Sequence, residues 1–158
     1  MLTDDMKRVI REQKLGFMAS VNADGSPNLS PKATFIVLDD TTVAFVELRS
    51  PNTMRNIARE PSVVLNFVDP FARKGYRFSG RAFAVARNDE GFTALFAEFG
   101  NLGSLSDHVR AVVRIEIGEA EPLMSPAYDR GMTETELRQD WTRKFQAMQP
   151  GGQFDTGA

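Results

Sequence analysis

The chain has 158 residues, 42% hydrophobic and 25% charged, which is enough for one buried core and within the size of a single domain. Its net charge of -2 comes from charges of both signs and gives no extended positive field, so nucleic acid and membrane surfaces are not expected as partners. It has no cysteine, which excludes disulfides, thiolate metal sites and cysteine nucleophiles, and its one histidine, His108, rules out a two-histidine metal site within one chain.

The amino terminus carries Asp4 and Asp5 instead of the apolar run of a secretory signal, and no later stretch approaches the ~20 apolar residues that span a bilayer. A cytoplasmic location is the expectation. Thr3 is placed to cap a first helix, with Met6, Val9 and Ile10 as its apolar face. Short apolar runs at 17–21, 29–37 and 42–48, separated by Asp24-Gly25 and Asp39-Asp40, then read as a three-stranded meander.

Pro51 and Asn52 start a short helix that reaches Ala58 and stops before Pro61. Strands are expected at 62–68 and 76–86, the second with a bulge or bend at Gly80 that curves the sheet. Asn88 or Asp89 is placed to cap a helix carrying Phe92, Leu95, Phe96 and Phe99, followed by a loop at 100–106. Val109, Ala111, Val113, Ile115 and Ile117 alternate with more polar neighbours, which predicts a strand with one core face and one exposed face. After a turn at 125–131, Thr133 and Glu136 form a capping box for a last helix lined by Leu137, Trp141, Phe145 and Met148. Residues 1–149 are read as one domain and 150–158 as a mobile tail. Six or so short strands interrupted by single helices point to a mainly β fold, an antiparallel barrel.

The stretch that speaks most of chemistry is Ser30-Pro31-Lys32-Ala33-Thr34-Phe35, followed after a hairpin by Glu47-Leu48-Arg49-Ser50-Pro51-Asn52-Thr53-Met54-Arg55-Asn56. A helix start offers free amides and a positive dipole end, and here Arg49, Arg55 and the hydroxyls of Ser50 and Thr53 accompany it, a set suited to a phosphate. The alternative is that Ser50 and Asn52 cap the helix and the arginines are solvated.

The ordered combination of strand, Asp-Gly turn, Pro31-Lys32 strand, hairpin, Arg49-Ser50-Pro51-Asn52-Thr53-Met54-Arg55-Asn56-Ile57 and Glu60-Pro61-Ser62-Val63 resembles the pyridoxamine 5'-phosphate oxidase-like superfamily of flavin-binding split barrels. The Gly80 strand and the Ser125-Pro126-Ala127-Tyr128-Asp129-Arg130-Gly131 turn resemble those of its small bacterial members, and the likeness covers most of residues 3–145. The resemblance implies a split β-barrel homodimer with flavin mononucleotide (FMN) at the subunit interface. In it, Ser30, Pro31, Lys32, Ala33 and Thr34 run along the flavin ring edge, with Lys32 at the ring's polar end or the phosphate. Arg49, Ser50, Asn52 and Thr53 hold the phosphate, and Tyr128 and Trp141 of the partner cover the ring, unless Trp141 is simply core.

No obvious nucleophile or acid-base pair is present, which a flavin-dependent reaction tolerates because the redox chemistry belongs to the cofactor. The expected activity is an FMN-dependent oxidoreductase that passes electrons from a reduced nicotinamide, NAD(P)H, to a small acceptor, a flavin or oxygen. The alternatives are a non-catalytic flavin carrier or sensor, or a barrel that binds haem or deazaflavin F420 instead. The last residues, 150–158, lack the arginine and histidine of the name-giving oxidase's substrate segment, which argues against vitamin B6 as substrate.

Overall fold

The structure is a computed structural model that describes residues 1–149, so the expected tail at 150–158 lies outside the described residues. The chain runs α1 (Asp4–Gln13), β1 (Gly16–Val21), β2 (Pro27–Lys32), β3 (Ile36–Val37), β4 (Thr42–Glu47), α2 (Pro51–Arg59), β5 (Ser62–Asp69) and β6 (Lys74–Ala86). It continues through α3 (Phe92–Ala97), a 3-10 helix (Gly103–His108), β7 (Ala111–Met124) and α4 (Glu134–Met148). Seven strands, all paired antiparallel, form one sheet in the order β2-β1-β5-β6-β7-β4-β3.

The two edge strands of that order, β2 and β3, are separated in sequence only by residues 33–35. So short a link reaches roughly 14 Å at most. The sheet is therefore rolled until its edges nearly meet, giving a barrel split along one seam. Phe35 plugs the seam from inside, 6% exposed, its ring 5.3 Å from that of Phe45 and 4.9 Å from that of Phe67.

The single strand expected at 29–37 is thus two strands. Pro31 still pairs with Phe17 inside β2, and the break comes at 33–35, where the Thr34 hydroxyl takes over the role of a strand partner. It accepts from Val46 N at 3.1 Å and donates to Val46 O at 3.3 Å.

Gly80 bends β6 as expected. The register slips between Ser79 and Gly80, and a Cβ at Gly80 would lie 2.3 Å from the Glu116 carbonyl oxygen. The expected alternation in the last strand fails at its start, where Ala111, Val112 and Val113 are all buried. Val113 and Ile115 face the barrel core, while Val112 joins a second cluster under α3 with Ala44, Val46, Phe92 and Phe99, so both faces of β7 are covered there.

α3 starts later and ends earlier than expected. Gly91, at φ 86°, is its N-cap, and the Asp89 carboxylate accepts from Ala86 N instead of capping a helix. Part of the expected loop at 100–106 is the 3-10 helix, which ends at His108, and the strand expected from Val109 begins at Ala111. The other two capping expectations hold: Thr3 caps α1, with the Met6 sulfur returning the bond, and Thr133 pairs with Glu136 at α4. Among the described residues no helix is long and apolar enough to cross a membrane.

Candidate functional site

α2 is seated on the sheet by a polar cluster. Asn28 on β2 donates to Ser20 Oγ at 3.1 Å and to Thr53 Oγ1 at 3.3 Å, and Asn56 donates to Ser20 Oγ at 3.1 Å and Asn22 Oδ1 at 2.9 Å. Ser20, Thr53 and Asn56 are buried, so these bonds replace water that the groups would otherwise lose. They fix where α2 begins. At that beginning Pro51 occupies the first turn and Ser50 provides no side-chain cap; instead Ser50 N and Oγ both donate to the Glu47 carboxylate at the end of β4.

Asn28, Ser30 and Lys32 alternate along β2 with the exposed Pro27, Leu29 and Pro31 and form its half-buried face. The Lys32 ammonium donates to Ser30 Oγ at 2.6 Å and lies 5.6 Å from the centroid of the Phe45 ring. Burial pushes its pKa below the usual lysine range, and the Glu47 carboxylate opposes part of that shift. Beyond Lys32, residues 33–35 belong to no strand, and Thr34 is turned to Val46. A half-buried cation thus borders a stretch of backbone outside the ladder.

The four residues expected around a phosphate, Arg49, Ser50, Asn52 and Thr53, surround the start of α2 but point in different directions. Thr53, 1% exposed, is committed to the cluster beneath the helix. Ser50 is tied to Glu47. Asn52 accepts from Arg55 and lines a depression of about 450 Å³ with Asn22, Asp24, Asn56 and Arg59. Arg49 is exposed on the opposite side, where its side chain makes no hydrogen bond or ion pair among the described residues.

Tyr128 and Trp141 lie together, away from α2, against the β5–β6 turn. The Tyr128 hydroxyl donates to Ala72 O at 2.6 Å, and the Trp141 ring is flanked by Arg73 at 4.0 Å and Lys144 at 4.6 Å. The turn is organised by Asp69, which accepts from the amides of Phe71 and Ala72 and from Arg138 of α4.

A sequence profile described as pyridoxamine 5'-phosphate oxidase matches residues 2–124. This chain belongs to the pyridoxamine 5'-phosphate oxidase family. HupZ of Group A Streptococcus is 31% identical, with 79% of this chain and 96% of HupZ covered and a TM-score of 0.67. An FMN-binding protein from Syntrophomonas wolfei shares the fold at 10% identity, with 76% and 84% of the two chains covered and a TM-score of 0.63. An F420 reductase shares it at 17% identity, with 76% and 98% covered and a TM-score of 0.59. No curated protein sequence matches the chain.

In this family member the residue that sequence reasoning passes over is Glu47, 3% exposed. It stands two positions after the core residue Phe45 on a strand, so strand periodicity puts both side chains on one face. That signal lies in the sequence. Asn28 and Asn56 carry none, because their partners are distant in the chain.

Proposed function

We propose that this chain binds flavin mononucleotide beside the barrel seam, between β2 and the start of α2, and works as a flavin-dependent oxidoreductase. One observation carries the reading: backbone outside any ladder at 33–35, next to the Lys32 cation and bonded through Thr34 to Val46, one residue before the Glu47 carboxylate that accepts from Ser50 at the start of α2. A flavin needs this donor set, namely polar groups for its pyrimidine edge and a positive end for its phosphate. Family membership and the fold shared with an FMN-binding protein and an F420 reductase support it.

In this reading Ser30, Pro31, Lys32, Ala33 and Thr34 border the ring, with Lys32 at its polar end. Ser50, Asn52 and the first amides of α2, with Arg49, hold the phosphate, and Thr53 acts from behind by holding α2 in place. Hydride uptake from a reduced nicotinamide and onward electron transfer are chemistry the flavin supplies when bound; the chain positions it and keeps water away.

A second copy of the chain completes the site. The outer face of β2 and β1 exposes Leu29 at 66%, Phe17 at 40% and Val21 at 37%, beside an apolar depression of about 380 Å³ lined in part by Ala19, Pro27 and Val64. Apolar surface of this kind favours association. Tyr128 and Trp141 of that second copy are the residues proposed to cover the ring.

The absorption spectrum of the freshly purified protein, with mass analysis of the released chromophore, tests the reading. FMN is expected, followed by bleaching when NADH or NADPH is added without oxygen. A deazaflavin or haem spectrum would replace the cofactor assignment, and bound FMN that no nicotinamide reduces would make the protein a carrier.

A further inference from the structure

Glu47 is a buried carboxylate that the flavin reading leaves without a task. It ends β4, is 3% exposed and shares a strand face with the core residue Phe45. The ladder fixes its backbone: Glu47 pairs with Ala111 of β7, and its carbonyl accepts from Arg110 N at 2.9 Å. The carboxylate Oε1 accepts from Ser50 N and, at 3.2 Å, from Ser50 Oγ. Among the described residues its side chain accepts from Ser50 alone, and Lys32 feels its charge, which raises the lysine pKa against the effect of burial.

Ser50 stands directly before α2, where Pro51 has no N–H to offer and the amides of Asn52 and Thr53 come next. An anion bound at this end of the helix draws on Ser50 N and Oγ together with those amides. Each Ser50 donor has one proton to give, and Glu47 already holds both. Two anions side by side in poorly hydrated surroundings also repel more strongly than they would in water. A phosphate and the Glu47 carboxylate therefore exclude each other from Ser50.

We infer that Glu47 is a built-in competitor for the phosphate seat, holding Ser50 N and Oγ until a phosphate takes them from it. The displaced carboxylate keeps Lys32 as a counter-charge, so the exchange leaves no buried anion alone. Its effect is to weaken the hold on the phosphate end and make the ligand exchangeable. That the ligand is a flavin rests on the flavin reading; the competition rests on the contact between Glu47 and Ser50.

Calorimetric titration of this chain, dialysed free of flavin, with FMN, riboflavin and inorganic phosphate at about pH 7.5, where the phosphates are mostly dianions, tests the inference. Glu47→Gln keeps an acceptor oxygen for Ser50 and removes the charge. FMN is expected to bind this variant about tenfold more tightly than the parent, and riboflavin to change by less than about twofold. Inorganic phosphate should gain along with FMN. Glu47→Ser, a smaller neutral side chain, serves if the glutamine variant does not fold. FMN and phosphate affinities that stay level or fall in the neutral variants would overturn the inference, as would an equal gain for riboflavin, which has no phosphate to compete. A phosphate gain in a protein that binds neither flavin would leave the competition standing and remove the flavin reading instead.

Discussion

Thr34 and Val46 hold the seam of the barrel: one hydroxyl accepts from the Val46 amide at 3.1 Å and donates to the Val46 carbonyl at 3.3 Å, standing in for a strand that is absent there. Val46 is 3% exposed, so both of its backbone groups depend on this side chain. Thr34→Val keeps the shape and leaves them unpaired. We expect a loss of about 1–3 kcal/mol in denaturant unfolding, with Thr34→Ser close to the parent protein. Equal stability of the valine variant would show that the seam is held elsewhere.

Lys32 gives a pH signature. Burial places its pKa below the ordinary lysine value of ~10.4, so it loses its charge at a lower pH than a solvated lysine. A cation with a depressed folded pKa binds fewer protons than in the unfolded chain, so its unfavourable contribution to stability fades as pH rises through that window. The effect on an anionic ligand has the opposite sign. FMN affinity should decline with rising pH before the ordinary lysine range is reached, and Lys32→Arg should remove the decline. A fluorescence titration at several pH values would read it, and a flat profile for the parent protein would place Lys32 away from the ligand.

Arg49 and Thr53 should behave differently from each other. Arg49→Ala is expected to weaken FMN about tenfold and riboflavin little, since only the phosphate is affected. Thr53→Ala removes one of the two acceptors for Asn28 and should lower the melting temperature and affect both ligands alike. Comparison of the two ligands with each variant separates the roles; an equal loss for both with Arg49→Ala would move the phosphate elsewhere.

For Leu29, 66% exposed on the edge strand, we expect Leu29→Asp to shift the protein toward monomer and to release FMN at the same time. Sedimentation and flavin content, measured on the same sample, would link assembly to binding. A dimer that survives this change would mean that copies meet through another face.

Asp69 and Arg138 join the β5–β6 turn to α4 at 2.6 Å. Burial alone would raise the Asp69 pKa, but bonds from Ala72 N, Arg138 and Phe71 N outweigh it and hold the carboxyl below the usual aspartate range. A depressed folded pKa contributes stability that is present above the unfolded value of ~3.9 and lost as pH falls through the folded value. Asp69→Asn should therefore flatten the acid limb of a thermal-stability profile. Arg138→Ala should cost roughly 1–3 kcal/mol at neutral pH, because the carboxylate keeps its burial and loses a partner.

Features written within a few residues are legible in the amino-acid order alone. The caps at Thr3 and Thr133, the proline start of α2 and the bend at Gly80 each follow from local bonding or from a missing side chain, and each stands where expected. The family is legible too, because the order of such segments along the chain carries it. The interruption at 33–35 is not, since apolar and polar residues there continue a strand-like pattern and only Val46, twelve positions after Thr34, breaks it.

What the sequence by itself determined is a mainly β barrel, its element order and the presence of hydroxyls and cations around residues 30–34 and 49–55. Which way those side chains turn was decided by the tertiary structure alone. Rolling the sheet drew Thr53 under α2, left Arg49 facing the cleft of Arg110 and His108, and brought Tyr128 and Trp141 onto the Asp69 turn. The physical reason is that a side chain's direction follows from strand register and helix seating, and both are set by contacts between residues far apart in the chain.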